Sequence, residues 1–254
     1  MSHISYSEFK NWDFCPFYHK LTYLDKIKIF EGNEYTAFGT SLHLVCEELT
    51  KNKTVDYKKI FLESFSEEIN KIQVQDNRQK MVEEMKEQGV NLASMVIDNL
   101  NNTFPGWSLV SCEEQIYEEI QNIDPEYNFK GYVDLVLKTP DGKYHIIDWK
   151  SCSWGWDIKK KTDKIITYQL TYYKNFFSQK HNIDLKKIET YFGLLKRTAK
   201  KNHIEIFRVS SGDKKIKNAL NILNKAVYNI HKGNHPKNKL SCGKCEFRGT
   251  EHCP

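Results

Sequence analysis

The stretch that decides the fold runs from Gly131 to Ser151, GYVDLVLKTPDGKYHIIDWKS. Its centre, Thr139–Gly142, is turn chemistry: Pro140 pre-sets its backbone angle and Gly142 tolerates a positive one. The β-branched and aromatic residues on either side predict two strands closed into a hairpin. With the turn centred on Asp141, Asp134 lies seven residues before it and Asp148 seven after. That register sets the two carboxylates opposite each other, about 5 Å apart at the backbone. Like charges facing across a ladder destabilise it, so a divalent cation is the expected compensation. Asp148 and Lys150 are two apart and share a strand face, while Trp149 points the other way, toward a core.

Outward from the hairpin the pattern changes on both sides. Upstream, YTAFGTSLHLVCEELT spaces Phe38, Leu42, Val45 and Leu49 as one helix face. YKKIFLESFSEEINKI and RQKMVEEMKEQGVNLASMVIDNLNN read as two more helices, and NTFPGW breaks the chain. SYSEFKNW is a short helix with Ser5 as its N-cap. WSLVSCEEQIYEEI precedes the hairpin as a further strand. After the hairpin come a helix over DKIITYQLTYYKNFFSQ, strands over IETYFGLLKR and HIEIFRVS, and a helix over DKKIKNALNILNKAVYNIHKG. The order is a helical region, then β-β-β-α-β-β-α, then a cysteine-bearing tail. That predicts an α/β (α+β) fold, a sheet flanked by helices.

The totals are those of an ordinary globular chain. It has 254 residues, 39% hydrophobic and 28% charged, with 14 Tyr, 14 Phe and 5 Trp. No apolar run approaches a membrane span and no signal-peptide core opens the chain, so a cytoplasmic protein is expected. The net charge of +5 is compatible with a polyanionic partner without requiring one. Seven cysteines without an export signal argue against a disulfide framework. Cys46, Cys112 and Cys152 sit singly and read as small buried hydrophobes.

Two carboxylates and a lysine on one surface form the set that phosphodiester hydrolysis needs. The carboxylates hold a metal, the metal lowers the pKa of a water, and the lysine orients that water or stabilises developing charge. A bare D…DxK pattern is equally met by a solvated strand face carrying an ion pair. The neighbours decide between them. Four short motifs follow one another along the chain: Phe38-Gly39-Thr40-Ser41-Leu42-His43, Gly131-Tyr132-Val133-Asp134, Ile147-Asp148-Trp149-Lys150-Ser151 and Tyr168-Gln169-Leu170-Thr171-Tyr172-Tyr173. Together they resemble the RecB-like branch of the PD-(D/E)XK nuclease superfamily.

The resemblance implies a restriction-endonuclease-like core with a central mixed sheet. It implies that His43, Asp134, Asp148 and the Trp149 carbonyl ligate Mg²⁺ or Mn²⁺. It makes Lys150 the catalytic lysine, and it sets Gln169 and Tyr173 beside the active site, with Tyr173 touching DNA. The residues themselves agree in part. His43 stacks on Gly39 and Tyr173 on Gln169 by four-residue spacing. Glu113 or Glu114 is a further acidic candidate. The whole chain, 1–254, reads as a single nuclease domain, with a helical insert over 52–102, the nuclease core over 109–210, and a metal-cluster staple formed by 240–254 with Cys15.

Beyond Lys150 lies SWGWDIKKKTDK. Trp154 and Trp156 can stack on unpaired bases, and Lys159, Lys160 and Lys161 can neutralise phosphates. A solvated charge run with core-facing indoles meets the pattern equally well. Lys196, Arg197, Lys200 and Lys201 form a second basic stretch between strands.

Cys242, Cys245 and Cys253 have the spacing of a soft metal site one ligand short. A mononuclear Zn²⁺ site would recruit His235 or His252. The resemblance offers another completion. The iron–sulfur subset, of AddB-type and CRISPR-adaptation nucleases, has one cysteine before the core and three after it, and they bind a [4Fe–4S] cluster. Cys15, followed by Pro16, stands at the matching place. Such a ligand set would join the two ends of the chain and restrict its unfolded state.

The resulting expectation is a metal-dependent DNA exonuclease acting on DNA ends or single strands, in repair, recombination or phage and CRISPR DNA processing. Its partners would be DNA and a helicase, recombinase or CRISPR-adaptation protein, with no membrane. The alternatives are a structure-specific endonuclease and a DNA-binding or recruitment subunit with little nuclease activity.

Overall fold

The structure is a computed structural model and describes residues 2–28, 32–72, 74–121, 123 and 126–254. The chain opens with strand β1 (Ser2–Ser5), helix α1 (Tyr6–Phe14) and the short α2 (Pro16–His19), which runs into a π-helical turn over Lys20–Leu24. Three long helices follow: α3 (Glu34–Lys51), α4 (Tyr57–Asn70) and α5 (Gln79–Thr103). Next are β2 (Ser108–Glu119), β3 (Tyr127–Lys138), β4 (Tyr144–Cys152), α6 (Ile158–Thr162) and α7 (Lys164–His181). β5 (Ile188–Lys196), β6 (Ile204–Val209), α8 (Asp213–His231) and a 3₁₀ turn over Lys239–Lys244 complete it.

The helix ends carry their local signals. Ser5 caps α1, its hydroxyl accepting the Glu8 N–H at 3.1 Å. Asn33 and Thr36 form a reciprocal capping box at the start of α3. Pro16 opens α2, where its missing N–H costs nothing.

The sheet is mixed. β1 runs parallel to β3, β3 antiparallel to β2 and β4, β4 parallel to β5, and β5 antiparallel to β6. The β3–β4 hairpin has the register expected around Asp141: Leu135 faces Ile147 and Lys138 faces Tyr144. Helices cover both faces. On one, α1, α7 and α8 enclose Phe9, Phe129, Tyr172, Phe176 and Leu223. On the other, α3, α4 and α5 enclose Phe38, Phe61, Leu92 and Trp149. β4 lies between β3 and β5 with five consecutive buried residues, His145–Trp149, as a strand covered on both faces requires.

β1 is a strand that local pattern does not announce. Four residues give no usable periodicity, and SHIS is polar. β1 exists because β3 offers an open edge, where Ser2–Ser5 pair with Tyr127–Lys130. The same edge of β3 pairs with β4 only from Leu135 onward. Between these two partners, Gly131 to Asp134 belong to neither ladder. That gap positions the site.

Candidate active site

Asp134 is the last residue of the gap, and Asp148 is its opposite number on β4. Here β3 and β4 stop pairing, while β4 continues along β5 with Asp148 beside Phe192. The Asp134 carboxylate takes the place of a ladder partner, accepting the Trp149 N–H at 2.7 Å. Trp149 sends its indole into the α3–α5 core, over Gly193 on β5. A Cβ on Gly193 would sit 2.3 Å from that ring, so only glycine lets the indole lie flat against the strand.

The flanking residues, Asp148 and Lys150, face the α7 side. Asp148 is 1% exposed, so its charge needs partners. Gln169 Nε2 donates to its Oδ1 at 2.8 Å, and Lys150 Nζ stands 2.7 Å from its Oδ2. Burial alone would lower the Lys150 pKa, but the carboxylates of Asp148 and Asp134 outweigh it and hold the pKa above its ordinary value. Lys150 is therefore a firm ammonium at neutral pH.

His43 reaches the gap from the opposite helical layer. Gly39, one turn earlier on α3, lets the helix approach β4 until a Cβ there would stand 3.0 Å from Ser151 Oγ. His43 Nδ1 then lies 3.5 Å from Asp134 Oδ2. Burial and the Lys150 charge depress the His43 pKa against the pull of Asp148, leaving a neutral imidazole with a lone pair to give. The Trp149 backbone also lies against this imidazole.

Glu113 completes the cluster. It falls between Cys112, facing Leu135, and Glu114, facing Val133, and so stands across from Asp134 at a position where the ladder lapses. Its φ of 46° is left-handed, a conformation that costs a non-glycine residue about 1–3 kcal/mol and that concentrates at functional sites. Ligand atoms of His43, Glu113 and Asp134 all lie within 4.8 Å of one another. This is the one such group among the described residues. One imidazole nitrogen and two carboxylates suit a divalent ion of the Mg²⁺ or Mn²⁺ type. The electrostatics say the same. Burial and the nearby Asp148, with a smaller push from Glu113, raise the Asp134 pKa well above the usual carboxylate range, and a cation would relieve that repulsion.

The expected donor set changes in detail. His43 and Asp134 come together as expected. Glu113 joins them, whereas Asp148 is held by Lys150 and Gln169 and stands outside the group of three. Glu114, the other acidic candidate, turns away to Lys180 at 2.7 Å and His181 at 2.6 Å. The strand alternation that separates the two glutamates was readable; which of them faced the site was not, because that depends on the left-handed residue.

Tyr173 differs more from expectation. It is 5% exposed, packed on Phe129 and above Gly131, where a Cβ would come within 2.9 Å of its ring. Its hydroxyl accepts from Gln169 Nε2 at 3.3 Å, so it braces the brace of Asp148 and offers no surface for DNA. Tyr6 on α1 is buried beside them and was not anticipated. Its hydroxyl donates to the Ile165 carbonyl, and the Asp148 and Asp163 charges, after burial, raise its pKa.

The residues downstream of Lys150 divide. Trp154 is 78% exposed, and Lys159 and Lys160 are exposed. Trp156 instead packs on Phe192 and Phe207, with the Lys160 ammonium 4.5 Å from its ring. Lys161 is tied to Glu205. In the second basic stretch, Lys196 is buried against Glu205, and Arg197 donates to Gln88 at 2.8 Å and covers Tyr35 and Phe38. Those three cations are structural.

The four cysteines of the expected staple line one small cavity of about 20 Å³ with Phe14, Phe17, Tyr18 and Phe247. The segments that carry them are stitched together. Asn238 and Ser241 both donate to the Phe14 carbonyl, at 2.9 and 2.6 Å, and Tyr18 donates to Glu246 at 2.7 Å. The Asn238 N–H points at Cys15 Sγ from 3.2 Å. His235 stacks on His19, and His252 pairs with Glu251.

The family model of the PD-(D/E)XK nuclease superfamily matches residues 3–253. The chain belongs to that superfamily and is a nuclease. Among solved structures it resembles an inferred exonuclease from Eubacterium rectale, at 15% identity and a TM-score of 0.61, over 96% of this chain and 86% of that one. At that identity the likeness is one of fold. A second, SSO0001, aligns over 95% of this chain and 93% of its own at 14% identity and a TM-score of 0.40, and carries no argument. A comparison with curated proteins returned no match. No helix among the described residues is long and apolar enough to cross a membrane.

Proposed function

We propose that the chain is a metal-dependent deoxyribonuclease of the RecB-like kind, acting as an exonuclease on DNA ends or single strands. The observation that carries it is the break between β3 and β4. It brings His43, Glu113 and Asp134 within reach of one ion and sets Asp148 and a charged Lys150 beside them. A divalent ion there supplies Lewis-acid polarisation of a phosphoryl oxygen and a water of lowered pKa. His43, Glu113 and Asp134 would hold it, with the Trp149 carbonyl and Asp148 as nearby oxygen donors. Lys150 keeps its proton and sets positive charge where the phosphorane develops it. Gln169, braced by Tyr173, fixes the Asp148 carboxylate so that Lys150 is aimed rather than free. Trp154, Lys159 and Lys160 form the exposed aromatic and basic rim for the strand, and the substrate is recognised by its phosphates and unpaired bases.

The test is cleavage of linear and of covalently closed circular DNA with Mg²⁺ or Mn²⁺. Degradation of the linear form alone is the expected result. Cleavage of the closed circle would make it an endonuclease. Tight binding without cleavage in either metal would make it a recruitment subunit, and full activity in Asp148→Ala or Lys150→Ala would overturn the site.

For the four cysteines we favour an iron–sulfur cluster over zinc. Sulfurs around one tetrahedral Zn²⁺ lie about 3.8 Å apart, given Zn–S bonds of about 2.3 Å. No three of Cys15, Cys242, Cys245 and Cys253 fall within 4.8 Å of one another, yet all four line the same small space. Thiols that far apart suit a group that is itself several atoms across, such as [4Fe–4S], which would push back the walls of so small a void. Anaerobic purification with visible absorption and iron and zinc analysis tests it. Colourless, iron-free, zinc-loaded protein would overturn the cluster and leave the nuclease site untouched. Partners of the helicase, recombinase or CRISPR-adaptation kind and a cytoplasmic location remain part of this proposal.

A further inference from the structure

One cation at the rim of the site has no assigned role. Lys10 lies on α1, four residues after Tyr6, so the two share a helix face. Tyr6 fixes the direction of that face, because its hydroxyl is anchored on Ile165 at the start of α7. Lys10 thereby comes within electrostatic reach of Lys150, Lys160 and Asp163. Among the described residues, nothing forms an ion pair or hydrogen bond with its ammonium. Asp163, the acid in reach, already caps α7 by accepting the Ile166 N–H at 3.0 Å. Lys160 likewise has no carboxylate partner among the described residues and rests on the Trp156 ring. Two ammoniums without an ion pair, Lys10 and Lys160, thus lie within electrostatic reach of each other, and Lys10 within reach of Lys150, whereas the neighbouring Lys161 is paired with Glu205. Repelling ammoniums that share a single acid, itself engaged as a helix cap, fit a polyanionic ligand.

We propose that Lys10 is a phosphate-binding residue that, with Lys160, grips the strand next to the scissile phosphate and leads it along α1. The lane beyond it is a groove lined by Lys10, Asn11, Phe14, Tyr18, Lys244 and Glu246. It offers a second ammonium in Lys244 and two aromatic rings, the combination that holds single strands without reading their sequence. Its ligand is a single-stranded nucleic acid, and the proposal rests on the nuclease reading with such a substrate.

The experiment measures binding of a short fluorescent single-stranded oligodeoxynucleotide to the full chain by anisotropy. Ca²⁺ replaces Mg²⁺ so that nothing is cleaved, and the salt series is run for wild type, Lys10→Ala, Lys10→Arg and Lys10→Glu. Lys58→Ala, on α4 in the opposite helical layer, is the control. Lys10→Ala is expected to weaken binding by about three- to tenfold and to flatten the salt slope by about 0.7, the share of one phosphate contact on a single strand. Lys10→Glu weakens it further, Lys10→Arg retains it, and the control changes nothing. In Mg²⁺ the loss appears in KM with kcat kept. Unchanged affinity and slope in Lys10→Ala, or a loss confined to kcat, would overturn the role of Lys10 while the nuclease reading stood. A wild-type protein that cleaves but has no measurable affinity for single strands also overturns it. One that neither binds nor cleaves DNA brings down the substrate reading and this proposal together.

Discussion

Asp134 holds an unfavourable charge in the metal-free protein. Its pKa is raised in the folded state, so between the unfolded and folded values the native form binds more protons, and stability falls as pH rises through that window. Asp134→Asn removes the charge and keeps the shape. Metal-free Asp134→Asn protein should therefore melt above wild type at pH 7–8, and the difference should vanish below about pH 4, where the unfolded carboxylate is also protonated. Differential scanning fluorimetry across pH in chelator checks the sign, and a higher wild-type Tm at neutral pH would contradict it. Glu113→Gln should weaken Mn²⁺ binding by about tenfold or more, read by calorimetry, since it removes one of three donors that converge. Gln169→Ala touches no candidate ligand of the cluster of three. It should still lower activity by about 10- to 100-fold through the loosened Asp148, the usual effect of losing an outer-shell partner. Of these residues, His43, Asp134, Asp148, Lys150 and Gln169 were legible in the sequence because each sits in a short motif. Glu113 was only half legible, since its direction depends on a left-handed backbone that no residue pattern announces.

Elements are positioned here by close approaches more than by propensity. Gly193→Ala would drive a methyl into the Trp149 ring. The cost should be about 1–3 kcal/mol, as for other overpacked cores, with a fall in Tm and in activity together, because Trp149 lies between Asp148 and Lys150. A Gly193→Ala variant with wild-type stability would show that the indole has room to move. The hairpin itself was predictable from TPDG and the strand alternation around it. The gap on the edge of β3 was not, since it exists only because β1 and β4 each claim part of that edge. The same holds for Tyr173. Its spacing from Gln169 was visible, but its burial follows from how α7 settles on Gly131 and Phe129.

At the scale of the whole molecule, the segments around Cys15 and Cys242 meet after nearly the full length of the chain. A cluster ligated by both would close a long loop, worth of the order of 5 kcal/mol by the cross-link estimate. Cys15→Ser or Cys253→Ser should lose iron and lower Tm, while Cys46→Ser should keep the iron, which visible absorption and metal analysis would separate. Iron retained in Cys15→Ser would remove that cysteine from the ligand set.

Residue chemistry and its order along the chain were enough to name the type of fold and the carboxylate–lysine pair, because turn residues, strand alternation and i,i+4 spacing act over a few residues and leave their mark locally. Tertiary structure alone decided that Glu113 faces the site and Glu114 does not, that Tyr173 is buried, that Lys161 and Lys196 pair with Glu205 while Arg197 is held by Gln88, and that Lys10 has no ion pair within electrostatic reach of Lys150. Each of these depends on which distant segment covers which edge or charge, and contacts made across tens or hundreds of residues leave no periodic trace in the sequence.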